Sequence, residues 1–233
     1  MGPPLNWTLI AVLTLAGCSS APSSIPISNS PTTDVRLMLD TNTKTGHTHP
    51  YTMSTDAMVK VLSGIQVEER DTITGLGILG SKEGKPAFTQ GEIARVSSYL
   101  VEALKKASPK DVATFYMLVS DGHQGRAVTS GGLFVDGKQL HVVLANWRSV
   151  PRGGQDYTMA MELDTRDAPL LPVSPFRFRV GFHPAEAWVK GRNNVEGSPG
   201  FPAYRLAYGD PAKSIVINLE TLLTNPSPDL VAP

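Results

Sequence analysis

The segment that constrains this chain most is Leu133, Phe134, Val135, Asp136, Gly137, Lys138, Gln139, Leu140, in which apolar residues flank an Asp-Gly pair. Asp-Gly accepts the positive backbone angles of a type I′ turn, so the segment predicts a tight β-hairpin and antiparallel pairing. With Asp136 and Gly137 as the turn, Val135 is expected opposite Lys138, Leu133 opposite Leu140, Gly131 opposite Val142 and Thr129 opposite Leu144. His141 then falls opposite Gly132, its ring over bare backbone. One hairpin face is nearly all apolar, and the other carries Phe134, Gln139, His141, Val143 and Trp147.

Further strands alternate with period two. Tyr157, Met159, Met161 and Leu163 alternate with Thr158, Ala160, Glu162 and Asp164, while Phe176, Phe178, Val180 and Phe182 alternate with Arg177, Arg179 and Gly181. The short link between them makes these two expected neighbours. Val35–Asp40, Val112–Val119, Ala203–Tyr208 and Ser214–Ile217 are further strand candidates. Buried parallel strands would read as continuous apolar runs instead. The 21 glycines, 19 prolines and only 18% charged residues also argue against a helical bundle.

Helices are marked by their caps. Ser54 precedes a run with Ala57, Met58, Val61 and Leu62 on one side, and Gly64 stops it. Thr89 and Glu92 form a capping box, Phe88 and Ile93 are placed for a hydrophobic staple, and Ile93, Val96, Leu100, Ala103, Leu104 and Ala107 share one face up to Pro109. A last short helix is expected from Asn218. The fold expected is α+β, a mainly antiparallel sheet with two main helices packed on one face, in one domain over residues 35–224.

The amino-terminal segment has a different character. Trp7 to Gly17 is uncharged, the length of a signal-peptide apolar region and too short to span about 30 Å of hydrocarbon. It ends Leu15, Ala16, Gly17, Cys18, followed by Ser19 and Ser20, and Cys18 is the sole cysteine. This segment resembles the lipobox of bacterial lipoproteins. Met1–Asn6 departs from that pattern in having no Lys or Arg. The resemblance implies a signal peptide over residues 1–17, diacylglycerol on the Cys18 thiol, a palmitate-bearing first residue after cleavage, and attachment to the membrane through acyl chains. Ser at position 19 implies the outer membrane, facing the periplasm. Residues 18–34, rich in Ser and Pro, are then expected as an extended tether reaching up to about 50 Å, and residues 225–233 as a frayed tail.

Equal numbers of basic and acidic residues, 21 of each, leave no basic field for nucleic acid. Several formal motifs fail on context. Gly75, Gly77 and Gly80 spell a dinucleotide fingerprint, but the helix they need opens only near Gln90. Lys44, Thr45 and Gly46 match a penicillin-binding motif without its Ser-x-x-Lys partner, and Ser130 lacks the glycine of a nucleophile elbow.

Three sets of side chains remain as candidates. Asp121 and His123, at a strand end, have residue types suited to general acid-base catalysis, with His141 or His183 as further partners; an Asp-Gly turn is the ordinary account of Asp121. His47 and His49 alternate on an extended segment as two metal ligands can, although Gly46 and Pro50 mark an ordinary loop. Arg177 and Arg179 share a strand face, either paired with Glu162 and Asp164 across strands or offered to an anionic envelope component. The preferred expectation is a lipid-anchored envelope protein with a non-catalytic binding or assembly module, without cofactor, meeting another envelope protein or a glycan. The alternative is an anchored hydrolase or metal-dependent enzyme using His123 and Asp121.

Overall fold

The structure, a computed structural model, describes residues 24–40, 43, 45–69, 84–121, 125–150, 166–173, 178–190 and 213–224, and of residues 121 and 125 the backbone alone. Within them the order is β1 (Ser24–Asn29), β2 (Thr33–Leu39), α1 (Thr55–Gly64), β3 (Ile65–Glu69), β4 (Lys85–Pro86), α2 (Gln90–Lys106), β5 (Asp111–Asp121), β6 (Gly125–Asp136), β7 (Gln139–Ser149), β8 (Phe178–Phe182), β9 (Ser214–Asn218) and α3 (Leu219–Thr224). The strands form a six-stranded sheet, ordered β1-β2-β5-β6-β7-β9, and a three-stranded sheet, ordered β4-β3-β8. Every named pairing is antiparallel, and the class is α+β.

Local signals set the helices. Ser54 Oγ accepts the Ala57 N–H at the start of α1. At α2 both halves of the capping box form: Thr89 Oγ1 accepts from Glu92 N, and Glu92 Oε2 accepts from Thr89 N at 2.8 Å. Ile93, Val96, Leu100, Ala103, Leu104 and Ala107 are all buried in the main core, together with Val35 and Leu37 of β2, Phe115 and Met117 of β5, and Leu133 and Val135 of β6. At α3, Asn218 Oδ1 accepts from Thr221 N.

The β6–β7 hairpin differs from expectation by a two-residue slide. Asp136 pairs with Gln139, so Gly137 and Lys138 make the turn, and Gly137, at φ +58°, takes the first central position as a type II′ turn requires. Val135 therefore faces Leu140 and Leu133 faces Val142. A slide by two preserves sidedness, so the faces are those expected.

They cease to be so beyond Leu144. Gly131 pairs with Leu144 but Ser130 pairs with Asn146, leaving Ala145 as the extra residue of a bulge. The bulge turns Trp147 inward, away from the face expected for it, and its Nε1–H donates to the Ala87 carbonyl at 2.9 Å. Gly131 faces the same crowding: a Cβ there would lie 2.2 Å from the Val143 carbonyl oxygen and 2.9 Å from the Phe115 ring.

The tether expected over residues 18–34 is shorter than its composition suggests. Ser24–Asn29 is extended, yet it is a strand paired with β2, and Thr33 and Asp34 already belong to β2 and are buried. Its prolines and serines read as linker and hide the short alternation of Ile25 and Ile27, whereas pairing along β2 supplies the hydrogen bonds the segment lacks on its own. The first strand sits at the sheet edge, where Pro26 is tolerated. The domain thus begins by residue 24 and not 35. The lipobox, Lys44, the glycines at 75, 77 and 80, the Tyr157–Leu163 and Ala203–Tyr208 segments and residues 225–233 lie outside the described residues.

Candidate functional site

The described chemistry concentrates at the hairpin-tip end of the large sheet. Residues 45–51 run beside that tip, held by backbone bonds from His47 N to Pro109 O (2.6 Å), Thr48 N to Val135 O (2.7 Å) and Tyr51 N to Leu104 O (2.9 Å). Gly46 is required where the strip begins: it has φ +81°, and a Cβ would come within 3.1 Å of Pro109. Thr48 Oγ1 accepts from Gly137 N at 2.8 Å, which ties the strip to the turn itself.

This strip carries His47 and His49 against the outer face of the hairpin, and the rings meet there. The ring of Phe134 lies 4.2 Å from that of His47 on one side and 4.6 Å from that of His141 on the other, the latter stacked at 7°. His47 and His49 meet edge to face at 5.8 Å. His141 faces Phe134 and not Gly132, a direct result of the hairpin slide. Two of the five histidines thus flank one phenylalanine, with His49 against His47, which spacing alone did not indicate.

The Nε2 atoms of His47 and His49 have protein partners. His47 Nε2 lies 3.0 Å from Asp40 Oδ2, with the two side chains 7% and 3% exposed. His49 Nε2 accepts the Val135 N–H at 3.3 Å, which places its proton on Nδ1 in the neutral ring. Burial, and then the neighbouring His47, push the His49 pKa down from its ordinary 6.5 to about 4, against smaller opposing effects of the Leu104 carbonyl and Asp111. A ring that accepts from a backbone amide and resists protonation is packed for structure. Among the described residues no group of three His, Cys, Asp or Glu side chains could hold a metal ion.

Of the acid-base set suggested for Asp121, His123 and His141, the described residues separate Asp121 from His141. Asp121 pairs with Gly125 at the opposite end of the β5–β6 hairpin, whereas His141 pairs with Phe134. From Gly125 to Phe134 the strand runs nine residues, about 30 Å at 3.3 Å per residue. General acid-base partners must come within hydrogen-bond reach. His123 and the Asp121 side chain lie outside the described residues. His183 is exposed at the end of β8, where its backbone N–H donates to the Gly64 carbonyl.

Arg179 is exposed on β8 and stands opposite Glu68 of β3, in register. That acid comes from a strand other than the one expected; Arg177, Glu162 and Asp164 lie outside the described residues.

Beyond the hairpin, the outer sheet face is covered and not open. Leu170 packs with Val112, Phe134 and Val143, and Val173 packs against Tyr116, Leu118 and Val128. Buried Asn146 clamps the covering segment: its Nδ2 donates to Ser130 Oγ and to the Leu171 carbonyl, and its Oδ1 accepts from Val173 N, all at 2.8 Å. Ser130 Oγ donates in turn to the Pro169 carbonyl at 2.6 Å, so this hydroxyl is a clamp component and not a nucleophile. Arg36 extends the attachment, bonding Asp34 through Nε (2.8 Å) and Nη2 (2.7 Å) and Asp167 through Nη1 (2.7 Å). Arg166 also donates to the Ser30 carbonyl. Sequence reasoning missed this clamp because the partners that join it to the sheet lie 16 to 136 residues apart in the chain.

No family model matches this chain, and neither does any curated protein or solved structure.

Proposed function

We propose that this chain is a lipid-anchored bacterial envelope protein, held to the outer membrane on its periplasmic side through acyl chains on Cys18, whose domain is a non-catalytic binding or assembly module. The observation that carries the proposal is the sequence Leu15-Ala16-Gly17-Cys18, with the sole cysteine at the end of an uncharged apolar run. Several acyl chains on that residue would hold the protein firmly, since each buried methylene contributes about 0.8 kcal/mol and a single chain is marginal.

The use made of the polar side chains supports the non-catalytic part. His49, Ser130 and Asn146 each bond to backbone groups of the hairpin or the covering segment, and His47 bonds to Asp40. We infer further that α1 and α2 cover the same face of the large sheet, since residues of both enter one core with Leu37, Phe115 and Leu133. The opposite face is the one covered by residues 166–173. The partner is then met at the edges and ends of the sheet, and it is another envelope protein or a glycan.

The test is Cys18→Ala in cells grown with radioactive palmitate. The variant should accumulate as unprocessed precursor without label; unchanged labelling refutes the assignment.

A further inference from the structure

The first strand shortens the link between anchor and domain, and that changes where the domain must sit. From Cys18 to Ser24 there are six residue steps, which span at most about 20 Å when fully extended. The sheet's β1 corner is therefore confined to the neighbourhood of any bilayer that holds Cys18, where residues 18–34 as a free tether would have allowed about 50 Å.

That corner carries two half-exposed aliphatic side chains. Ile25 is 51% exposed and Leu39 is 50% exposed. Ile25 pairs with Leu37, which lies in the main core, and paired residues share a face. Leu39, two positions along from Leu37, is on that same face, diagonal to Ile25. Both lie at the sheet end where β1 begins, so the core side of the sheet continues outward as a small apolar ledge beside the anchor. Among the described residues Leu39 stands opposite Asp111, whose neighbour Lys110 is exposed, so the strand end carries one charge of each sign, and Asp40 is buried.

We propose that Ile25 and Leu39 form a membrane-contact ledge that lays the β1 corner of the domain against the phospholipid surface holding the anchor. This rests on the lipid-anchor reading above. Tethering makes so small a contact sufficient, because the anchor fixes the effective concentration of bilayer at the corner. A second copy of the chain is the poorer occupant: Pro26 and the bulge between Pro26 and Ser28 blunt β1 as a template for another strand.

The experiment uses the full acylated chain, reconstituted in vesicles of phosphatidylethanolamine and phosphatidylglycerol. A photoreactive residue is introduced as Leu39→p-benzoylphenylalanine and, separately, at Ile25. The controls are the same replacement at Leu223, which is 43% exposed and follows β9 at the far edge, and at Leu171, 39% exposed on the opposite face. Lipid adducts at Leu39 and Ile25 at least fivefold above both controls are expected. Equal adducts at all four positions, or adducts to a second copy of the chain at Leu39, overturn the ledge while an acylated Cys18 in the same sample leaves the anchor standing. A bare Cys18 thiol in that sample overturns both.

Discussion

Glu92, at the third position of α2, and Arg148, near the end of β7, are joined by a forked contact in which Arg148 Nη2 lies 3.1 Å and 3.3 Å from the two carboxylate oxygens of Glu92. Glu92 is 7% exposed and also closes the capping box, so one carboxylate both starts the helix and fastens it to the strand. Arg148 holds φ +41°, unusual for a residue with a Cβ, and its N–H donates to Thr129 Oγ1 where β7 carries an extra residue. The strained backbone and the ion contact thus occur at one position.

Glu92→Ala should lower stability by about 2–3 kcal/mol, since it removes a cap and leaves a partly buried guanidinium without this partner. Glu92→Gln keeps the cap acceptor and should lose less. Urea unfolding of the three proteins gives the comparison; equal midpoints would show that the contact is idle.

Two glycines should respond in opposite directions. Gly131→Ala drives a methyl into the Val143 carbonyl and the Phe115 ring, and should cost about 3 kcal/mol or more. Gly91, in the first turn of α2, has nothing within 4 Å of a Cβ, so Gly91→Ala should stabilise by about 0.5–1 kcal/mol. Thermal midpoints should move down in the first variant and up in the second.

His49 makes stability depend on pH. Its pKa is about 4 in the folded chain against an ordinary 6.5, so between those values the unfolded state binds the extra proton. Stability should therefore fall as pH is lowered from about 6.5 to about 4, by roughly 3 kcal/mol from this residue. Above pH 6.5 both states hold a neutral ring and the effect vanishes. His49→Gln should flatten the slope within that window, as read by denaturant midpoints at successive pH values; an unchanged slope would assign it to other groups.

Asn146→Ala should release the covering segment. It breaks bonds to Ser130, Leu171 and Val173 at a buried site, for about 2–3 kcal/mol. Hydrogen exchange at the Val173 amide should quicken more than at Met117 of the central strand β5, whereas uniform quickening would indicate global loosening only.

What was legible in the sequence was local. The Ser54 cap, the Thr89–Glu92 box and the buried face of α2 depend on spacings within a few turns, and the structure has each of them. The hairpin was legible in place but not in register, because Asp-Gly and Gly-Lys are adjacent two-residue turns and only cross-strand packing selects between them. Trp147 was misplaced because Ala145 looks like any strand residue, and the bulge depends on its partner strand. Ser24–Asn29 was read as tether because its strand character comes from β2. The meeting of His47 and His141 at Phe134 and the Asn146 clamp are long-range, and no spacing within one segment encodes them.

The central claim concerns Cys18, and the mass of the mature amino-terminal peptide from membrane-extracted protein tests it most directly. The account predicts a peptide that begins at Cys18 and carries a diacylglyceryl group with additional acyl mass. A chain that still begins at Met1, with a free thiol at Cys18, would contradict it.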